Sequence, residues 1–130
     1  MLPVKLVFVD DDPDDRELIQ DGLSALAADA FLVLDSGRSF FSYLTPLKGT
    51  DLPEAVVLDL NMPEIGGMEI LKQLKSEEAY QKIPVYILTT SSRPDIKQLC
   101  IKEGAAGYYT KPSSIVELNT LLNEIYNTVN

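Results

Sequence analysis

The sequence predicts an α/β domain: one parallel β-sheet wound on both faces by helices. Two observations carry this reading. Five short apolar runs alternate with five stretches whose apolar residues recur at helical spacing, the pattern of repeated strand–helix units. Four of the runs also end at a polar group: Asp10 and Asp11 after Lys5 to Val9, Asp59 after Val56 to Leu58, Thr89 after Val85 to Leu88, and Lys111 after Gly107 to Thr110. In an open parallel sheet those strand ends share one rim, and ligands bind in the crevice there. With 130 residues and a 45% hydrophobic fraction, the chain suits one core and is short for two, so a single domain over 1–130 is expected.

Each element has its own signal. Lys5 to Val9 is β-branched and aromatic, and the acidic run Asp10 to Asp15 breaks it. Helix one follows from about Asp14 to Ala28 on Leu18, Ile19, Leu23 and Leu26, with Asp14 and Asp15 suiting a helix N-terminus electrostatically. Phe31 to Leu34 is strand two, and Phe40, Phe41 and Leu44 mark a short helix two. Leu47 to Pro53 carries turn formers without periodicity and reads as an exposed connection. Strand three, Val56 to Leu58, is apolar throughout, as a strand buried on both faces must be. Pro63 to Gly67 then forces a tight loop before helix three, whose stripe of Met68, Leu71 and Leu74 runs to about Ser76.

Strand four is Ile83 to Leu88, with Pro84 tolerable only near its entry. Ser92 is the expected N-cap of helix four, Pro94 suits its first turn, and Gly104 is its stop. Gly107 to Thr110 is a very short strand five. Ser114-Ile115-Val116-Glu117 has capping-box spacing for helix five.

Composition removes several function classes. A net charge of −9 offers no basic stripe to a phosphate backbone, so no nucleic-acid partner is expected. The absence of His removes the usual general base and the common metal ligand, leaving oxygen chemistry. The lone Cys100, at helical spacing among Ile96, Leu99 and Ile101, reads as core packing. Without a basic, apolar leader or a run of about 18 apolar residues, a cytoplasmic protein without a membrane partner is expected.

The polar strand ends assemble a chemistry. Carboxylates gathered in one crevice raise each other's pKa unless a cation neutralises them. A hard divalent ion answers that, and Mg²⁺ suits best, since it takes few carboxylates and leaves room for phosphate oxygens. Lys111-Pro112 presents a point charge rigidly to the rim, and the Thr89 hydroxyl is placed to meet an anionic oxygen there. Asp59 is then oriented as a nucleophile toward phosphorus. Taken singly, the acidic run also reads as a solvated turn, Lys111 as a surface lysine and Thr89 as a strand-ending residue.

In this order and spacing, Val9-Asp10-Asp11-Asp12-Pro13, Leu58-Asp59-Leu60-Asn61-Met62-Pro63, Leu88-Thr89-Thr90 and Lys111-Pro112 resemble the receiver domain of two-component response regulators. The resemblance covers essentially the whole chain. It implies a flavodoxin-like fold of strand order 2-1-3-4-5, and a signalling phosphoacceptor, not an enzyme, in which Asp59 takes a phosphoryl group from a sensor histidine kinase or phosphotransfer protein. It further implies that Asp11, Asp59 and the backbone carbonyl of Asn61 ligate Mg²⁺, that Asp10 acts mainly through water, and that Thr89 and Lys111 bind the phosphoryl oxygens. Tyr108 matches the family's switch aromatic, which turns inward when the threonine moves; the plain alternative is a packed strand aromatic. The family usually carries Asp-Gly where Gly66-Gly67 stands here.

The segment Leu88 to Ser92 and the connection around Lys48 to Pro53 look similar to stand-alone receivers serving phytochrome-type kinases. With no output domain after helix five, the signal is expected to leave through a downstream protein, a relay step, or a homodimer formed by helix four, strand five and helix five. A dehalogenase-type phosphatase would need a second acid at Asn61, and a flavin carrier would not line its phosphate loop with carboxylates. A degenerate receiver would lack the intact set Asp10, Asp11, Asp59, Thr89 and Lys111.

Overall fold

In the computed structural model, which describes residues 4–26 and 30–129, five parallel strands form one sheet in the order β2-β1-β3-β4-β5. They are β1 (Leu6–Val9), β2 (Phe31–Leu34), β3 (Ala55–Leu58), β4 (Val85–Thr89) and β5 (Gly107–Thr110). Between and after them run α1 (Pro13–Ala25), α2 (Gly37–Leu44), α3 (Gly67–Ser76), α4 (Pro94–Lys102) and α5 (Ile115–Val129). This is the flavodoxin-like arrangement that the resemblance implied.

Side chains alternate across each strand, so the sheet divides the core in two. Val7, Val9, Val56, Leu58, Val85 and Ile87 pack under α2, α3 and α4 against Phe40, Leu44, Ile70, Leu71, Leu74 and Cys100. Leu6, Phe8, Val57, Tyr86 and Leu88 pack on the opposite face against Ile19 and Leu23 of α1 and Leu118, Leu122 and Ile125 of α5. The central strands β1, β3 and β4 are buried along their whole length. That is why they read as unbroken apolar runs.

The boundaries differ from the sequence reading where local chemistry intervenes. α1 begins at Pro13, because the Asp12 side chain accepts from the backbone N–H groups of Asp14 and Asp15 and caps the helix one residue early. Its last helical residue is Ala25; the expected continuation over residues 27–28 lies outside the described residues. Ser92 is not the N-cap of α4. Pro94 forces the residue before it out of the helical region, so the extended cap position falls on Arg93, which makes no side-chain cap bond.

On α4 only Cys100 is fully buried, with Ile96 partly buried one turn before it, while Leu99 and Ile101 are 41% and 46% exposed. Consecutive residues fan about 100° apart around a helix, so 99, 100 and 101 cannot share one face. Gly104 does end α4, at φ +108. The connection before β3 is largely exposed, yet it contains a 3₁₀ turn at Gly49–Asp51 and buries Pro53. Among the described residues, no helix is long and apolar enough to cross a membrane.

Candidate functional site

The site grows out of strand register. β1 and β3 are neighbours with Val9 opposite Leu58, so Asp10 and Asp59 emerge side by side. The Asp59 N–H donates to the Val9 carbonyl at 3.0 Å, and the Asp10 N–H donates to the Leu34 carbonyl at 3.0 Å, extending both ladders into the rim. Asp10 and Asp59 are 2% and 7% exposed. With Asp11 they bring three carboxylate oxygens within 4.8 Å of one another.

Lys111 closes the cluster from the end of β5. Its backbone N–H donates to the Thr89 carbonyl at 2.6 Å, fixing the loop, and Pro112 stops the strand beyond it. Its ammonium lies 2.7 Å from Asp10 Oδ2, 2.8 Å from Asp15 Oδ2 and 3.2 Å from Asp59 Oδ2. Burial works to lower the Lys111 pKa. The bonds that the ammonium donates to Asp10 and Asp15, with the charges of Asp10 and Asp59, outweigh it and hold the pKa above its ordinary value. Burial pushes Asp10 up despite its bonds to Lys111 and the Asp12 N–H, and the Asp59 charge adds to the rise.

Further groups frame the cleft. Asp59 Oδ1 accepts from the Asn61 N–H at 3.3 Å, which turns the chain so that Asn61 lines the opening with Asp11, Asp15, Asp59, Thr90 and Lys111. Gly67 is required behind it: a Cβ there would collide with the Asp59 carbonyl oxygen. Arg16 donates to the Asp10 carbonyl at 3.0 Å and ties the acidic loop to α1.

Thr89 stands apart from the expected set. It is fully buried at the end of β4, its hydroxyl has no hydrogen-bond partner, and its neighbour Thr90 lines the cleft instead. Tyr108 packs toward α2, α3 and α4 and donates its hydroxyl to the Ser91 carbonyl at 2.7 Å, whereas Tyr109 lies on the other face beside Tyr86. Strand alternation thus separates the two tyrosines. The sequence reading missed Asp15 as a partner of Lys111. Its only signal was a place in the first turn of α1, above the end of β1, and no local pattern pairs it with a residue 96 positions away.

The donors present fit a hard divalent cation: three carboxylates, with Asn61 lining the same cleft, no imidazole in the chain and its one thiol buried on the inner side of α4. A doubly wound sheet with acids and a buried ammonium where β1 and β3 emerge belongs with phosphoryl-accepting signalling domains and not with nucleotide carriers, whose phosphates such acids would repel. Within that class, the chain belongs to the response regulator receiver domain family, whose model matches residues 6–123.

Its relatives agree. It is 30% identical over 125 residues to a chemotaxis protein CheY homolog of Campylobacter jejuni, covering 96% of this chain and 94% of that protein. It superposes on the phosphorylated cyanobacterial phytochrome response regulator RcpA with a TM-score of 0.81 at 26% identity, covering 95% and 91% of the two chains. The Mn²⁺-bound form of response regulator Rcp1 matches with the same TM-score and coverage at 28% identity.

Proposed function

We propose that this receiver accepts a phosphoryl group on Asp59 from the phosphohistidine of a kinase or phosphotransfer protein. The observation that supports this most directly is the convergence of Asp10, Asp11 and Asp59 within 4.8 Å, with the Lys111 ammonium on two of them. An Asp59 carboxylate oxygen forms a bond to phosphorus as the N–P bond breaks. With its other ring nitrogen protonated, the imidazole keeps the electron pair and leaves neutral, and the product is an acyl phosphate. Asp11, Asp59 and the Asn61 carbonyl would hold Mg²⁺, with Asp10 acting through water; such an ion, when bound, would offset the charge shared by the carboxylates and the phosphoryl oxygens.

Lys111 meets one phosphoryl oxygen with a charge-assisted bond. Thr89 meets another: its buried, unpartnered hydroxyl costs about 1–3 kcal/mol, which an anionic acceptor would relieve. The switch runs through Tyr108, whose hydroxyl reads the position of the β4–α4 loop at Ser91. Output passes to a downstream protein or a second copy at α4, β5 and α5, without nucleic acid. The chain acts in the cytoplasm as a single domain, as the match to 94% of the CheY homolog's length supports. The likeness to RcpA and Rcp1 favours a phytochrome-type kinase as donor.

Intact mass after incubation with acetyl phosphate and Mg²⁺ tests the acceptor. Wild type gains one phosphoryl group and Asp59→Asn gains none; equal labelling of the variant rejects Asp59.

A further inference from the structure

Lys111 is fully engaged before any phosphoryl group arrives. An ammonium has three N–H donors, and three carboxylate oxygens surround this one, from Asp10 at 2.7 Å, Asp15 at 2.8 Å and Asp59 at 3.2 Å. A phosphoryl oxygen can bond to Lys111 only if one of these contacts opens. Asp59 is the group being modified and stays in place. The Asp10 side chain is 3% exposed and also accepts from the Asp12 N–H at 3.0 Å, so it cannot move into water. The Asp15 side chain is 32% exposed on the first turn of α1, where a rotamer change carries its carboxylate into solvent.

We infer that Asp15 is a positioning residue that restrains phosphorylation: it holds the Lys111 ammonium in competition with the phosphoryl group and is the partner released when that group binds. The inference rests on the proposed role of Asp59 and adds a residue that tunes it. The restraint has the size of a half-screened ion pair, so removing the charge favours the phosphorylated arrangement about threefold to tenfold.

The test compares wild type, Asp15→Asn and Asp15→Glu in Mg²⁺. One readout is the initial rate of labelling by acetyl phosphate, in which the Asp59 O–P bond forms as acetate leaves with the electron pair of its P–O bond. The other is the calorimetric affinity for beryllofluoride, an equilibrium mimic of the phosphoryl group. Asp15→Asn should label faster and bind beryllofluoride more tightly by the same factor, with an unchanged melting temperature, and Asp15→Glu should return both toward wild type. A merely structural role for Asp15 would lower stability without tightening the mimic. Wild-type rate and affinity in Asp15→Asn, or a loss of either, overturns the restraint while leaving Asp59 as acceptor. Failure of wild type itself to take up a phosphoryl group overturns both.

Discussion

Asp10, Asp11 and Asp59 are equivalent in chemistry and unequal in place, and their places set what each substitution does. Asp10 is deeply buried with its pKa raised above the ordinary 3.8, chiefly by that burial. Between 3.8 and the raised value the folded protein holds a proton that the unfolded chain releases, so this group contributes stability on the acid side that is lost as pH rises through the window. Asp35 and Asp95, whose pKa values are lowered by bonds from Ser39 and Arg93, act in the opposite sense, and a difference experiment removes them. In EDTA, wild type minus Asp10→Asn should show a melting-temperature difference that moves in favour of wild type from pH 7 toward pH 4. A flat difference would contradict the burial argument. Asp11→Asn should weaken Mg²⁺ binding about tenfold or more in a calorimetric titration, because the proposed site loses one of its three carboxylates.

At the scale of elements, the loop between β3 and α3 holds Asp59 at fixed depth. The β3–α3 loop carries Glu64 at φ +64 and closes on Gly67, whose missing Cβ lets the start of α3 lie against the backbone of Asp59. Gly67→Ala should therefore cost about 1–3 kcal/mol in urea unfolding and slow phosphorylation as well, since the displaced atoms belong to the acceptor's own backbone. Gly66 caps α3 with no side-chain bond where the family usually has Asp, so that departure weakens a cap and leaves the acceptor's chemistry alone. Ser114 shows a working cap: its Oγ accepts from the Glu117 N–H at 3.1 Å. Ser114→Ala should lower stability by about 1 kcal/mol, a shift of a few degrees in melting temperature, with the labelling rate of Asp59 unchanged.

For the whole molecule, the proposed function makes phosphorylation a population shift between arrangements of the α4–β5–α5 surface, limited by how differently the phosphoryl group contacts each. Thr89 ends β4 two positions beyond Ile87, the register partner of Tyr108, and among the described residues lining or adjoining the site its buried hydroxyl has a bond still to make. Thr89→Ala should still be labelled yet lose most of the phosphorylation-dependent change in sedimentation or partner capture, whereas Lys111→Ala should impair both steps. Equal responses in phosphorylated wild type and Thr89→Ala would send the signal through another face. Mg²⁺ at about 100 times its dissociation constant should raise stability by about 2.7 kcal/mol, because only the folded chain gathers the ligands.

The strands, the helices and the residues at the rim were legible in the chain because each is a local pattern. An apolar run stopped by Asp10 or Asp59 and a stripe such as Leu18, Ile19 and Leu23 state their own secondary structure. Order and spacing of the four motifs then pointed to the receiver family, and the family match over residues 6–123 bears that out. What the sequence left open depends on distance along the chain or on one rotation about a helix. The Asp15–Lys111 pair joins groups 96 residues apart, and only the packing of α1 against α5, the helix that follows Lys111, brings them together. Which of Leu99, Cys100 and Ile101 is buried was decided by how α4 rolls onto the sheet, and which of Tyr108 and Tyr109 faces α4 was decided by the register of β5 on β4. Local chemistry dictates that an element forms; only the tertiary contacts of neighbouring elements fix which of its sides is in, and hence which charges meet.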